Sequence, residues 1–435
     1  MEFFTNPIVV SVVVLCALCL FRVNVLLALI IASLVAGLAG GVGLTKSMEL
    51  LSGGFSANAT TALSYILLGT FAIAIAHTGL MQMLVRWIGS RLGTKPVVFC
   101  FVIAFIACLS QNVVPVHIAF IPLLIPPLLK LMNKMGLDRR AVSTALGFGL
   151  TAPYVSLPIG FGLIFQGIVA QSMTNNGMNV TVSDVASVAW IAGLSMFIGL
   201  AVSIFFYTRR PRHYENLPAI GVSENQEEVK FGFKHYVTIA AIVAAVGVQI
   251  TLESLPLAAL LGLVIMLGGG AFRFNKLDDH IAGGISMMGF IAFVMLIAGG
   301  YAAILKDTNA VSALIEGVVP YMGENKWFAA TIITLIGLLV TMGIGTSFGT
   351  VPILAVIYVP LCSAVGFSVP ATILLMTIAG ALGDAGSPAS DSTLGPTSGL
   401  NADGQHNHIW DTCVPTFLAY NVPLLIAGII VSQFI

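Results

Sequence analysis

The sequence predicts an all-α polytopic membrane protein built from two inverted-topology repeats. Of its 435 residues, 58% are hydrophobic and only 8% are charged, and the mean hydropathy is +1.01. A composition this apolar is typical of a chain that crosses a bilayer several times. Sliding the sequence by 230 residues places its two halves on one another without a gap. Such internal repeats are typical of secondary transporters.

The two halves match at glycines and prolines. With the 230-residue offset, Gly53 falls on Gly283 and Pro158 falls on Pro388. Each match is weak by itself because glycine is common here, but a constant offset over such a length is rare by chance. The predicted divisions are a first repeat at 1–207, a flexible cytoplasmic linker at 208–236, and a second repeat at 237–435.

Each repeat begins with three membrane spans and ends with one. An apolar run of roughly 20 residues can cross a bilayer as a helix. The first run lacks the basic leader and the clear cleavage site of a signal peptide, so we interpret it as a span. The predicted spans lie at 6–21, 24–43, 60–84 and 186–207 in the first repeat, and at 237–252, 254–272, 283–305 and 415–435 in the second.

A re-entrant hairpin and a broken helix lie between these spans in each repeat. Pairs of apolar runs that are too short to cross predict hairpins at 97–130 and 327–363. Glycine and proline interrupt the runs that follow, which predicts broken helices at 141–171 and 371–398. Each repeat then crosses the membrane an odd number of times, so the second repeat is expected to be inverted.

The basic residues predict the orientation. If the 208–236 loop is cytoplasmic, only Lys46, Lys306 and Lys326 of the 18 basic residues lie outside, as the positive-inside rule requires. Both termini are then expected to be external. The 401–411 loop falls inside in this arrangement although it carries no Lys or Arg.

The stretch 380–399, GALGDAGSPASDSTLGPTSG, is expected to hold the functional site. It places Asp384 and Asp391 between apolar runs, and ionisable groups at membrane depth are costly and usually functional. Its glycines and prolines leave backbone carbonyls available beside serine and threonine hydroxyls, a set of oxygen ligands that hard cations such as Na⁺ prefer. The alternative is a polar loop outside the membrane, which we expect for NADGQHNHIWD at 401–411.

Hairpin tips and broken helices are expected to converge near the bilayer midplane. Helix N-termini there offer amides to an anionic group, while carbonyls and hydroxyls suit a cation. The candidate binding residues are Gln111, Asn112, His117, Thr151 and Ser156 in the first repeat, and Thr346, Ser347, Thr350, Asp384, Ser387 and Asp391 in the second.

The repeat is asymmetric in charge. Asp384 falls on Tyr154 and Asp391 falls on Phe161, so both carboxylates belong to the second half. A site with acidic groups on one wall suits a cation, or a zwitterion whose ammonium faces the aspartates. Because burial favours the protonated form of a carboxyl group, either aspartate is also a candidate proton carrier.

Several other features have alternative or purely structural interpretations. For His117, a functional role as a proton relay or substrate contact and a structural role as a hydrogen-bonded packing residue are weighed equally. His406 and His408 have a spacing too generic for a metal site, and a solvated loop is the favoured interpretation. The six cysteines lie in or beside apolar runs as small core residues. The zero net charge argues against a nucleic-acid partner.

Three motifs resemble a known family. GTSFGT at 345–350 and GDAGSPASDST at 383–393 are similar to the paired signatures of the NhaC-type sodium/proton antiporter family of the ion transporter superfamily. GLNADGQHNHIWDTCVPTF at 399–417 resembles the YuiF-like branch, proposed as amino-acid, particularly histidine, permeases. In this sequence Ala385 and Gly386 follow the GD pair, where the antiporter motif is bulkier and more charged. This departure favours room for an organic substrate.

The resemblance implies a homodimeric elevator transporter of the bacterial inner membrane that uses Na⁺ or H⁺ as coupling ion and needs no cofactor. Its expected partners are a small-molecule substrate, the ion and the lipid bilayer. The motifs imply that the ion- and substrate-facing residues are Thr346, Ser347, Thr350, Asp384, Ser387 and Asp391, with Na⁺ at Thr346, Ser347, Asp384, Ser387 and Asp391.

Two functions follow as hypotheses. The first is Na⁺- or H⁺-coupled uptake of a small amino acid, with histidine as the family-based substrate. The second is Na⁺/H⁺ antiport without an organic substrate. An intramembrane aspartyl protease is disfavoured, because Asp384 and Asp391 lie on one broken segment and the chain lacks a GxGD sequence. A channel is disfavoured because an inverted repeat suits alternating access better than a continuous pore.

Overall fold

The computed structural model describes residues 5–21, 23–80, 83, 95–112, 117–159, 161–220, 231–252, 254–310, 313, 325–344 and 347–435. Across these ranges the chain folds into helices and forms no β-strand, so the all-helical prediction is confirmed.

The helices of the first half run from Pro7 to Thr208. They are α1 Pro7–Leu20, α2 Val25–Ala39, α3 Leu44–Gly53, α4 Phe55–Thr78, α5 Pro96–Asn112, α6 His117–Lys134, α7 Arg139–Ser156, α8 Phe161–Asn175 and α9 Val182–Thr208.

The helices of the second half run from Phe233 to Val431. They are α10 Phe233–Leu252, α11 Leu255–Gly268, α12 Leu277–Asp307, α13 Lys326–Ile344, α14 Ser347–Val365, α15 Val369–Ala381, α16 Asp391–Leu400 and α17 His408–Val431. Two π-helical segments, His408–Cys413 and Phe417–Asn421, lie within α17.

Several of these helices are long and apolar enough to cross a membrane. In the described part of the chain, three single helices pass this test: α9, Met288–Asp307 of α12, and α17. Two bent pairs, Leu44–Thr60 with Ala62–Thr78 and α7 with α8, raise the number to five if each pair is one span, and the α7–α8 pair bends by 48°. This agrees with a polytopic membrane protein and with a break between 141 and 171.

Helix boundaries in the two halves differ by the offset found in the sequence. Asp138 of α7 and Ser368 of α15 are N-caps 230 positions apart, and each side chain accepts a hydrogen bond from the first helical turn. The matching first residues of five helix pairs are 25 and 255, 96 and 326, 117 and 347, 139 and 369, and 161 and 391.

Helices occupy both predicted hairpins. The pair α5 and α6 covers 97–130, and the pair α13 and α14 covers 327–363. The tips at 113–116 and 345–346 lie outside the described residues. The predicted span 60–84 is displaced, because α4 begins at Phe55 and ends where Gly79 adopts a left-handed φ of 82°.

Glycines bring α4 and α12 into close contact. A Cβ on Gly69 would lie 2.9 Å from the carbonyl oxygen of Gly284, and a Cβ on Gly54 would lie 2.6 Å from the Cα of Gly300. Small residues of this kind allow close helix packing in membranes, where no hydrophobic force drives helices together. The two helices therefore form one tightly packed pair.

The linker after α9 is docked rather than free. The backbone N–H of Arg212 donates to Gly136 O at 3.1 Å, and that of Ile220 donates to Ala402 O at 2.9 Å. Gln405 exchanges two hydrogen bonds with the backbone of Glu215. Residues 211–220 thus lie across 401–405 of the second half, and residues 221–230 are outside the described part.

Candidate functional site

A buried break in the polypeptide separates α15 from α16. Residues 382–390 are not helical, yet every one of them is buried. Gly383 and Gly386 adopt φ values of 83° and 100°, which only glycine adopts readily. A Cβ on Gly386 would lie 2.6 Å from the Cβ of Phe417, so glycine also allows α17 to approach the break.

Asn421 replaces backbone hydrogen bonds that the break removes. Its side-chain oxygen accepts from the N–H of Gly383 at 3.0 Å, and its amide nitrogen donates to Ala385 O at 2.7 Å. Asn421 is fully buried on α17. Since unpaired backbone groups in an apolar interior are costly, this one side chain stabilises the unwound conformation.

Asp384 is the centre of a hydroxyl cluster. The Tyr154 hydroxyl donates to Oδ2 of Asp384 at 2.8 Å, and the Ser390 hydroxyl donates to Oδ1 at 2.5 Å. Tyr154 also shares a 2.8 Å hydrogen bond with the Ser347 hydroxyl. Asp384 is 5% exposed, so these contacts replace water around a buried carboxylate. The cluster joins the break to α7 and α14.

Asp391 occupies the first turn of α16. Ser390 is the N-cap of this helix, and its hydroxyl accepts from the Ser392 N–H at 3.1 Å. Asp391 is half-buried. A carboxylate at a helix N-terminus is stabilised by the helix dipole. Ser390 therefore links the two aspartates, because its hydroxyl donates to Asp384 and it precedes Asp391 in the chain.

The remaining second-half candidates lie around the same break. Ser387 is fully buried, and its hydroxyl accepts from the Ala389 N–H at 3.2 Å. Thr350 is fully buried one turn after Ser347 on α14. Ser347 and Asp384 both bond to Tyr154, and the Ser387 N–H donates to Asp384 O at 3.3 Å. Thr346 lies outside the described residues.

The first-half candidates divide into two groups. Thr151 is fully buried on α7 one turn before Tyr154, and its hydroxyl has no hydrogen-bond partner in the described part of the chain. Ser156 instead bonds to Ala152 O at 2.6 Å and faces Gly193 of α9, away from the cluster. The side chains of three further candidates lie outside what the structure describes, namely Gln111, Asn112 and His117.

Sequence reasoning did not select Tyr154, Ser390 or Asn421 as site residues. Tyr154 could have been found, because it stands at the position that the repeat offset pairs with Asp384. Ser390 lies inside the motif between the two aspartates. The signal for Asn421 was a single amide in the apolar run LAYNVPLL.

A second polar network lies beyond the end of α16. Arg139 of α7 binds both carboxylate oxygens of Asp403 at 2.6 Å, and both side chains are buried. Burial acts to raise the pKa of Asp403, but the hydrogen bond and charge of Arg139 outweigh it and hold that pKa below its ordinary value. Arg212 binds Asp411 at 2.6 Å.

The expectation of a solvated loop at 401–411 is wrong for three polar side chains, whereas Asn401 and Asn407 are exposed. Asp403, His406 and Asp411 are buried because the docked linker and α7 cover them. His406 shares a 2.7 Å hydrogen bond with the Thr412 hydroxyl, and burial lowers its pKa to about 3. Among the described residues, no set of three or more His, Cys, Asp or Glu side chains is arranged to hold a metal ion.

His408 contacts the break directly. One ring nitrogen, Nε2, lies 3.0 Å from Pro388 O, and the other, Nδ1, lies 2.8 Å from the Thr397 hydroxyl. The ring therefore connects the start of α17 to both sides of the α16 N-terminus.

Comparison with known proteins identifies related sequences. A model of the Na⁺/H⁺ antiporter family matches residues 145–429, and a second model of a Na⁺–H⁺ antiporter family matches residues 6–92. An uncharacterized membrane protein of Vibrio parahaemolyticus is 45% identical, covering 98% of this chain and 99% of that protein. The "Putative amino acid transporter YuiF" of Bacillus subtilis is 44% identical, covering 97% and 98%.

Two solved structures are also similar. The YdaH transporter of Alcanivorax borkumensis covers 90% of this chain and 88% of its own, with 14% identity and a TM-score of 0.44. MtrF of Neisseria gonorrhoeae covers 90% and 84%, with 16% identity and a TM-score of 0.42. These values are too low to support a functional argument.

Proposed function

This chain belongs to the Na⁺/H⁺ antiporter family, and from that membership we propose that it is a secondary transporter that couples Na⁺ or H⁺ to the uptake of a small amino acid. Histidine is the first substrate to test. The observation that carries the proposal is Asp384, a buried carboxylate held by Tyr154 and Ser390 hydroxyls inside an unwound helix. The name of the Bacillus subtilis relative, a putative amino acid transporter, supports an amino acid as the substrate.

The hydroxyls that donate to Asp384 can also bind a cation. Tyr154 and Ser390 donate to the Asp384 carboxylate from neutral hydroxyl groups. Each hydroxyl can rotate and present its oxygen to a cation instead. In our proposal Na⁺ is held by Ser347, Asp384, Ser387 and Asp391, which supply carboxylate, hydroxyl and carbonyl oxygens.

We also propose that the two halves are inverted repeats that move as an elevator. Support comes from the helix starts 230 residues apart and from the contact of Tyr154 with Asp384, which are themselves 230 residues apart. Equivalent positions of two repeats meet only close to the axis that relates them. Such an axis passes near the midplane in inverted-repeat transporters, where their substrates bind.

Na⁺/H⁺ antiport without an organic substrate is the second candidate. The family description favours it. Asp384 would then alternate between a proton and Na⁺, since its hydroxyl ligands serve both states: a rotated hydroxyl can accept from a protonated carboxyl group or donate to a carboxylate.

The test uses purified protein in proteoliposomes with an internal pH dye. We expect labelled histidine to accumulate only with an inward Na⁺ or H⁺ gradient, and Asp384→Asn to abolish accumulation. Asp279→Asn is the matched control, because Asp279 pairs with Lys276 at an exposed surface. Na⁺-driven proton movement without uptake of any amino acid would establish the antiporter instead. Unchanged transport by Asp384→Asn would show that the proposed site is wrong.

A further inference from the structure

Two arginines, Arg209 and Arg210, follow directly after α9, a helix of 27 residues that is long and apolar enough to cross a membrane. A helix of this length is about 40 Å long, whereas the hydrocarbon core of a bilayer is about 30 Å thick. The ends of α9 therefore extend into the two headgroup layers. Arg209 and Arg210 lie at the height of the lipid headgroups.

Each of the two guanidinium groups lies over an aromatic ring of the last turns of α9. The Cζ atom of Arg209 is 3.6 Å from the centroid of the Phe205 ring, and that of Arg210 is 5.0 Å from the centroid of the Phe206 ring. Both rings are exposed, so in a membrane they face lipid. Because a cation is attracted to the face of an aromatic ring, the two rings hold the guanidinium groups on the lipid-facing surface of the helix.

Arg209 and Arg210 differ from the arginines around them in having no acidic partner. Three neighbouring arginines each bind a carboxylate at 2.6 Å, in the pairs Arg139–Asp403, Arg140–Asp138 and Arg212–Asp411. Within the described part of the chain, neither Arg209 nor Arg210 forms an ion pair. Their N–H groups are therefore available to an anion from outside the protein.

Two further cations lie on the same side of the molecule. Lys130 and Lys134 of α6 are exposed, and neither forms an ion pair with a described residue. Gly136, just after α6, accepts a hydrogen bond from the backbone N–H of Arg212, which places the end of α6 beside the chain that follows the two arginines. Each basic residue near a membrane surface adds to the attraction for anionic lipids.

We propose that Arg209 and Arg210 form a binding site for the phosphate headgroup of an anionic phospholipid such as phosphatidylglycerol, with its acyl chains along α9. Guanidinium groups match phosphate oxygens and bind them through paired N–H groups. Val202, Phe205 and Phe206 are exposed on α9 on the hydrocarbon side of the arginines, so they contact the acyl chains. A lipid engages both surfaces, whereas a free phosphate engages only the arginines. A headgroup without an ammonium of its own suits the two positive charges.

The experiment titrates the full-length protein in detergent with phosphatidylglycerol or with phosphatidylcholine of the same acyl chains. Native mass spectrometry measures the dissociation constant of the first lipid bound. We expect the wild type to bind phosphatidylglycerol more tightly than phosphatidylcholine. In Arg209→Gln/Arg210→Gln, phosphatidylglycerol binding should weaken by about 10-fold or more, because two cations at the headgroup are lost, while phosphatidylcholine binding should not change.

The matched control is Lys234→Gln/Arg273→Gln. It removes the same charge from two exposed cations that, in the described part of the chain, lie over no aromatic ring, and it should bind phosphatidylglycerol like the wild type. All four substituted residues are exposed, so both variants should unfold at the wild-type temperature, which a thermal scan without added lipid checks.

Three results would overturn the site. Equal affinity of the wild type for the two lipids would show that the arginines do not select an anionic headgroup. Equal weakening in the two double variants would show that only net charge matters. Displacement of phosphatidylglycerol by an equal concentration of inorganic phosphate would assign the arginines to a free anion instead of a lipid.

Discussion

Asp384 illustrates how a single charge is accommodated in an apolar protein. An isolated carboxylate in an apolar interior would take up a proton or carry a large desolvation penalty. Here hydroxyls of Tyr154 and Ser390 replace water, and Ser347 orients Tyr154 from α14. The carboxylate is thus stabilised by hydroxyl dipoles from α7 and from the break itself.

Tyr154→Phe tests this arrangement at the residue scale. The substitution removes the hydroxyl that joins Asp384 to Ser347, and we expect the initial rate of coupled uptake to fall by about 10-fold or more, since a bond to a charged group is lost. The measurement is uptake against external cation concentration in proteoliposomes. Tyr358→Phe is the control, because its hydroxyl donates to Ile333 O. Equal rates for both variants would contradict the role of Tyr154.

His406 predicts a dependence of stability on pH. Burial lowers its pKa from 6.5 to about 3, so the unfolded chain binds a proton over a range where the folded protein does not. Stability from this residue is complete above pH 6.5 and decreases as the pH falls toward 3. By linkage, the contribution of His406 to the free energy of unfolding is about 2 kcal/mol smaller at pH 5 than at neutral pH.

Thermal unfolding at pH 7 and pH 5 provides the measurement. We expect the His406→Gln midpoint to shift less between these values than the wild-type midpoint. His213→Gln, on the exposed linker, should shift like the wild type. His280 adds to the same dependence, because burial lowers its pKa to about 4, so part of the shift remains in His406→Gln. Identical shifts for the two variants would disprove the assignment to His406.

At the scale of an element, the break between α15 and α16 is held by its neighbours. Gly386 has a left-handed φ and touches α17, while the Asn421 side chain accepts from the Gly383 N–H and donates to Ala385 O. Local sequence alone explains why the helix stops. The neighbouring helix explains why the unwound chain adopts one conformation.

Gly386→Ala tests the two causes together. The added Cβ would lie 2.6 Å from Phe417, in a backbone conformation that alanine disfavours. We therefore expect the free energy of unfolding to fall by about 2 kcal/mol or more. Gly404→Ala isolates the backbone cost, because φ is 77° there and no atom lies within 4 Å of the added Cβ. For Gly404→Ala we expect the free energy of unfolding to fall by about 1 kcal/mol. The measurement is the thermal unfolding midpoint of each variant. Equal decreases for Gly386→Ala and Gly404→Ala would exclude the contact with α17 as a cause.

At the scale of the whole molecule, α7 joins the two halves at both of its ends. Arg139 at its start binds Asp403, and Tyr154 near its end binds Asp384. The linker reinforces this junction through Arg212 and Asp411. The halves defined by the repeat are therefore intertwined.

The topology proposed from charge is a prediction at this scale. An exposed cysteine at Phe434→Cys should react with a membrane-impermeant maleimide added to intact cells, because the C-terminus is proposed to be external. His213→Cys in the linker should react only after the membrane is opened. Both positions are exposed, while the six native cysteines are buried or half-buried. Labelling of His213→Cys alone in intact cells would reverse the orientation, and labelling of both would refute the odd number of crossings.

The sequence by itself determined the membrane class, the family, the 230-residue offset and the position of the break, because each depends on local composition or on spacing along one chain. It also selected Ser347, Asp384 and Ser387, since they lie in motifs. Only the tertiary structure decided that Tyr154 and Asn421 complete the break from α7 and α17, and that Asp403, His406 and Asp411 are buried. The physical reason is that polar groups in an apolar interior must find partners, and helices packed far apart in sequence supply them.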